Sequence, residues 1–226
     1  SGNNGERRCV IKMLKLENIS QIYAKGNEPV LKGINFEIKT GDYIALEGVS
    51  GSGKSTLLYI MAGLMRPTEG KVLWKNEDIY LMSDDELTSW RGKNIGYLFQ
   101  NIQMSSALTV RENLMFAREF GNDKSIDVEM MLDRFGLKEV AESLPGRLSG
   151  GQKRRAMIAS VLVRKPKIIL ADEPTNDLDH IWAEQIIEYL EKEVQPEGAL
   201  VLVTHDLKWA ERAKIKYKME EGCIYR

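Results

Sequence analysis

"YIALEGVSGSGKST", residues 43–56, is an apolar run that breaks into a glycine-rich loop ending in a lysine. Tyr43 to Leu46 lacks the alternation of a half-exposed strand, so it reads as a strand covered on both faces of a largely parallel sheet. Gly48, four residues, then Gly53, Lys54 and Ser55 follow at the spacing that turns successive backbone N–H groups toward phosphates at the start of a helix. In that pattern Gly48, Val49, Ser50, Gly51, Ser52, Gly53 and Thr56 cradle a nucleoside triphosphate. Lys54 reaches the β- and γ-phosphates, and the Ser55 hydroxyl ligates Mg²⁺. A glycine-rich turn with an exposed lysine is the bland alternative. The strand before the loop and the helical stretch after it weigh against that reading.

Outward from the loop, three more runs have the same character: Ile95 to Phe99, Ile168 to Ala171 and Leu200 to Val203. Helical segments fall between them: a stretch following Lys54, Ser125 to Phe135, the segment after Ser149, and Ile181 to Val194. Strands alternating with helices define an α/β fold in which ligands collect at the carboxyl ends of the strands. Those ends carry Gln100, Asp172 with Glu173, and Thr204 with His205. Asp172 suits a magnesium ion that needs one or two hard oxygen ligands beyond phosphate and water. Glu173, one residue on, has the chemistry of a general base for a water attacking the γ-phosphate. His205 can hydrogen-bond a γ-phosphate oxygen. Gln100 can orient water or ligate Mg²⁺ without adding charge. Solvated positions at strand ends are the alternative for Glu173 and Gln100, whereas His180, after Asp179 at a helix start, reads as structural.

Composition leaves few other classes open. The 226 residues suffice for one sizeable core, and 32 Lys plus Arg against 33 Asp plus Glu give no basic face for nucleic acid. Cys9 and Cys223 have no metal-ligand spacing and read as inert thiols of a reducing compartment, with a disulfide as the lesser alternative. No apolar run approaches the length of a membrane span, and no signal-peptide core is present. The expectation is a flexible tail over residues 1–12 and a single domain over 13–226.

The phosphate loop, "IGYLFQ" (95–100), "RLSGGQKRRAMIA" (147–159), "ILADEP" (169–174) and "THD" (204–206) occur in this order. With them the chain resembles, from about Met13 onward, the nucleotide-binding subunit of ATP-binding-cassette (ABC) transporters. The resemblance implies a P-loop NTPase with a largely parallel central sheet, a small antiparallel β lobe from about residues 13–40 with 70–80, and an inserted helical subdomain at about 101–150. It implies ATP and Mg²⁺ as ligands, and a head-to-tail dimer sandwiching two ATP molecules. It also gives the second glycine loop a use. Ser149 would cap a helix whose positive end, opened by Gly150 and Gly151, meets an anion, and the chain's own phosphate loop already holds one in cis. Ser149, Gly150, Gly151, Gln152 and Asp179 are therefore expected to serve the partner's ATP. Tyr23 stands at the position of the aromatic that stacks on adenine, although a strand aromatic packed in the small lobe reads nearly as well.

"MAGLMRPTEGKVLW", "MSDDELTSWRGKNIGYLFQ" and "LTVRENLMFA" are similar to the group serving lipoprotein release, macrolide and peptide export, and cell division. That likeness implies a subunit on the cytoplasmic face of the membrane, bound to an integral membrane permease and driving export or extraction of a lipid-linked, peptide or drug-like substrate. A mechanical or recruitment role of the cell-division type is the alternative. Soluble cassette ATPases acting on DNA or ribosomes carry paired cassettes or coiled-coil insertions, which this chain lacks. The sequence departs from the family pattern at Val49 and Ser106, where proline is usual, and at Ser160, where arginine is common.

Overall fold

Two sheets share the chain in a computed structural model that describes residues 11–23, 28–194 and 197–226. Most of the expected tail, with Cys9, lies outside the described residues; Ile11 is held by Thr40, accepting from its backbone N–H and donating to its Oγ1, and Lys12 begins a strand. The first sheet is antiparallel, ordered β2-β1-β4-β5, from β1 (Lys12–Gln21), β2 (Leu31–Lys39), β4 (Glu69–Trp74) and β5 (Glu77–Asp78). Leu14, Leu16 and Ile19 of β1 lie opposite Ile38, Phe36 and Ile34 of β2, and this buried set forms the lobe's inner face.

The four apolar runs become adjacent parallel strands of the second sheet: β3 (Tyr43–Glu47), β6 (Ile95–Leu98), β7 (Ile168–Asp172) and β8 (Ala199–Val203). β9 (Ile215–Glu220) pairs parallel with β3, and β10 (Cys223–Tyr225) closes the edge antiparallel, giving the order β10-β9-β3-β8-β7-β6. This C-terminal hairpin was not anticipated from the sequence. Alternate residues of each central strand enter two separate cores. Tyr43, Ala45, Ile169, Ala171, Leu200 and Leu202 face one, and Ile44, Leu46, Ile168, Leu170, Val201 and Val203 face the other. Burial on both sides is why these strands read as unbroken apolar runs.

Helix α1 (Lys54–Met61) packs on the second core together with α2 (Asp84–Asn94), whose Trp90 meets Trp74 edge-on at 5.6 Å. The first core is covered by α3 (Val110–Glu119), α4 (Val128–Arg134), α5 (Gly150–Leu162), α6 (His180–Val194) and α7 (Leu207–Arg212). The helix expected over Ser125 to Phe135 is the shorter α4. Asp127 sets its start, accepting a bond from the N–H of Glu129. Level strand ends are the consequence that matters for function. Leu46 lies opposite Val203, Val203 opposite Asp172, and Ala171 opposite Leu98, so the loops after β3, β8, β7 and β6 emerge at one edge.

Candidate functional site

The loop after β3 is curled around the lysine that follows it. Lys54 Nζ donates to Gly48 O at 2.7 Å, to Val49 O at 2.8 Å and more loosely to Ser52 Oγ at 3.4 Å. Ser52 N closes the turn on Val49 O at 3.2 Å, the one bond recorded for an amide from Val49 to Gly53 among the described residues. The other amides are therefore free donors, which is what an anion-binding nest requires. The shape depends on glycine at two places. Gly48 has φ 154° and a Cβ there would lie 2.3 Å from Met219 O, while Gly53 has φ 104° and would meet Leu31 and Met219 at 2.9 Å. Val49 is 71% exposed and its carbonyl accepts from Lys54, so its side chain is accommodated in solvent where proline is usual.

Buried charge concentrates beside this nest. Of nine buried polar residues among the described ones, Ser52, Lys54, Thr56, Asp172, Glu173 and Thr204 belong to it, a concentration that a purely structural surface loop has no reason to carry. Ser55 Oγ donates to Asp172 Oδ2 at 2.8 Å, bringing together two hard oxygens from α1 and β7. Glu173 N continues the sheet through Val203 O at 2.9 Å, and the chain then turns with Glu173 at φ 49°. Its Oε1 is buried with no hydrogen-bond partner, although His205 Nε2 stands 3.4 Å away as the nearest cation when protonated. Burial pushes the Glu173 carboxyl above the ordinary glutamate range; His205 counteracts this and the Asp172 charge reinforces it. Burial likewise lowers Lys54, against the pull of Asp172 and Glu173.

Gln100, Glu173 and His205 line one cavity of about 660 Å³, with Thr204 and His180. His180, read as structural from the sequence, thus borders the same space while starting α6. Tyr23 lies apart from them, its hydroxyl 3.0 Å from Thr56 Oγ1 and its ring exposed. Asp179 caps α6, its Oδ1 accepting from the N–H groups of Ile181 and Trp182.

Ser149 to Gln152 are not drawn into the cluster. Ser149 Oγ accepts from Gln152 N at 3.2 Å and Gln152 Oε1 from Ser149 N at 2.9 Å, a reciprocal cap at the start of α5. Among the described residues none of these four is hydrogen-bonded to residues 48–56. Arg154 has no local signal in the sequence, where it lies in the basic run Lys153 to Arg155. Its side chain is instead 2% exposed and donates into the loops after β6 and β7.

Parallel strands ending on a phosphate loop place the molecule among the P-loop NTPases. Residues 31–176 match the family described as ABC transporter, and the chain belongs to that family. It is 38% identical over 218 residues to a putative hemin import ATP-binding protein, HrtA, of Staphylococcus haemolyticus, covering 93% of this chain and 98% of the relative. It is 34% identical over 221 residues to the lipoprotein-releasing system ATP-binding protein LolD of Idiomarina loihiensis, covering 95% and 97%. Among solved structures, a dimeric post-hydrolysis state of the ATP-binding cassette MJ0796 bound to ADP and Pi has a TM-score of 0.87 at 35% identity, covering 95% of this chain and 97% of that one. The chain is an ABC-type ATPase, the ATP-binding component of a transport system.

Proposed function

We propose that two copies of this chain close head to tail around two ATP molecules, and that hydrolysis lets them part, driving a membrane-embedded partner. The observation that carries this reading is the capped N-terminus of α5. Ser149 and Gly150 are exposed there and would meet an anion, and this helix end makes no bond to the phosphate loop of its own chain. The cassette MJ0796, which this chain resembles along nearly its whole length, is a dimer with ADP and Pi.

The free amides of Val49, Ser50, Gly51 and Gly53, with Lys54, would bind the phosphates, and Thr56 and Tyr23 would sit beside the nucleoside. Ser55 and Asp172, already 2.8 Å apart, fit Mg²⁺ with Gln100 as a further oxygen donor, and a bound ion would offset phosphate charge. Glu173 would take the proton of the attacking water, its raised pKa bringing it nearer the working pH than an ordinary carboxylate. His205 would donate to a γ-phosphate oxygen. Asp179 and Gln152 would complete the partner's site, and closure would exclude water from the whole.

A second cavity, of about 510 Å³, lies between the turn after α1, β6, α3 and α5 and is lined by Leu64, Tyr97, Phe99, Met104, Phe116 and Phe120, among others. Phe116 and Phe120 are mostly exposed, and the buried Tyr97 hydroxyl has no partner. A short apolar segment of an integral membrane permease fits this groove, which would seat the chain on the cytoplasmic face of the membrane. No described helix is itself long and apolar enough to cross one. The relatives' names include lipoprotein release, and a lipid-linked, peptide or drug-like cargo moved outward or extracted is the reading we adopt. Replacing the base tests the chemistry: Glu173→Gln should retain ATP binding and lower steady-state turnover about a hundredfold or more. Unchanged turnover contradicts the role given to Glu173.

A further inference from the structure

Arg154, in the second turn of α5, is a fully buried cation outside the phosphate cluster. Its guanidinium donates to three backbone carbonyls: Nη1 to Phe99 O at 2.9 Å, Nη2 to Gln100 O at 2.7 Å, and Nε to Asn176 O at 3.1 Å. Nη2 also lies 3.4 Å from Asp177 Oδ2, whose side chain is 58% exposed. The three carbonyls sit on two different loops, one carrying Gln100 and the other following Glu173. A second contact joins the same parts, since a Cβ on Gly151 would come within 3.3 Å of Asp177 O. Asp177 itself holds a left-handed φ of 66°, so the loop is shaped where α5 touches it.

A buried guanidinium with three carbonyl acceptors is a poor way to fill space, because an apolar side chain would avoid the desolvation cost. What it does supply is a rigid planar fork that fixes several acceptors at once. We propose that Arg154 is a positioning residue that couples the two ATP sites of the dimer. It ties the helix presenting Ser149 and Gly150 in trans to the two loops that place Gln100 and Glu173 in cis. A shift of the α5 N-terminus on meeting the partner's nucleotide is then carried to the subunit's own base and its neighbouring amide. This rests on the head-to-tail dimer proposed above and adds a direction of communication to it.

The test uses Arg154→Lys, which keeps the charge but not the fork, and Asp177→Asn, which alters only the exposed end of the contact. ATP affinity of the isolated subunit, thermal midpoint, kcat, KM and the Hill coefficient for ATP are measured for each and for the wild-type protein. We expect Arg154→Lys to bind ATP within about twofold of wild type, with kcat lowered at least about fivefold and the Hill coefficient falling toward one, the range of a lost coupling. Asp177→Asn should move the Hill coefficient in the same direction by a smaller amount. A kcat loss with the Hill coefficient kept means that Arg154 only buttresses one site, and overturns the proposal. Should Arg154→Lys not fold, an unchanged Hill coefficient in Asp177→Asn overturns it. A wild-type Hill coefficient of one overturns the coupling alone, whereas Glu173→Gln staying at the subunit mass with saturating ATP refutes the dimer reading, so the two failures are distinguishable.

Discussion

At Glu173 the main chain leaves the sheet in a conformation that few residues adopt. A non-glycine residue at φ 49° directly before Pro174 costs on the order of 1–3 kcal/mol, and the sheet bond from its N–H to Val203 O holds it there. The carboxylate is thereby kept beside Asp172 and His205 in a buried position. Because burial raises its pKa, a base at this position is lost as pH falls through a value above the ordinary 4.5. The acid limb of kcat/KM for ATP, which reports groups of the free enzyme, should therefore have its midpoint above 4.5. A limb at or below that value would separate the activity from Glu173. Asp172, Glu173 and His205 were legible in the sequence because each ends an apolar run, a local signal. Arg154 was not, because its burial is made by residues 99–100 and 176–177, which are remote in sequence and were not known to converge on α5.

Helix α5 shows how an element can be readable while its surroundings are not. Its start was anticipated from Ser149, and the reciprocal cap with Gln152 is present. The same Ser/Thr-x-x-Glu signal opens α2 at Ser83 with Glu86 and α3 at Thr109 with Glu112, two helices the periodicity reading passed over. Each such cap is worth roughly 1 kcal/mol, enough to mark a helix start even where the apolar stripe is weak. The β9–β10 hairpin carried a signal too, since Glu221-Gly222, whose residues both take positive φ, follows the alternating stretch Ile215–Glu220 and precedes Cys223–Tyr225. At the α5 N-terminus, Gly150 gives the cleanest test of a role in trans. A Cβ there would make only an ordinary 3.8 Å contact with Asp177, and alanine favours the helix over glycine by roughly 1 kcal/mol. Gly150→Ala should thus leave the isolated subunit folded and binding ATP, yet lower turnover about tenfold or more by spoiling approach to the partner's phosphate. Normal turnover in that variant would remove the anion role from this helix end.

Across the whole molecule, the proposed head-to-tail dimer would divide the parts that act on ATP between two regions of one chain. The level ends of β3, β8, β7 and β6 gather Lys54, Ser55, Gln100, Asp172, Glu173 and His205, while α5 offers its capped end with no phosphate loop bonded to it. The class of fold was legible because strands, helices and motifs alternate in a recognisable order. The sheet order β3-β8-β7-β6 was not, since pairing between strands far apart in sequence leaves no trace in local periodicity. A molecule divided in this way would be a switch with two states, apart and closed, which ATP could shift only by binding the closed state better. Blocking hydrolysis should therefore hold it closed. The most direct measurement is the mass of Glu173→Gln in solution, by sedimentation or light scattering, with saturating ATP and then with ADP. Closure around ATP should give twice the subunit mass with ATP and the subunit mass with ADP. A protein that binds ATP yet stays at the subunit mass under both conditions contradicts it.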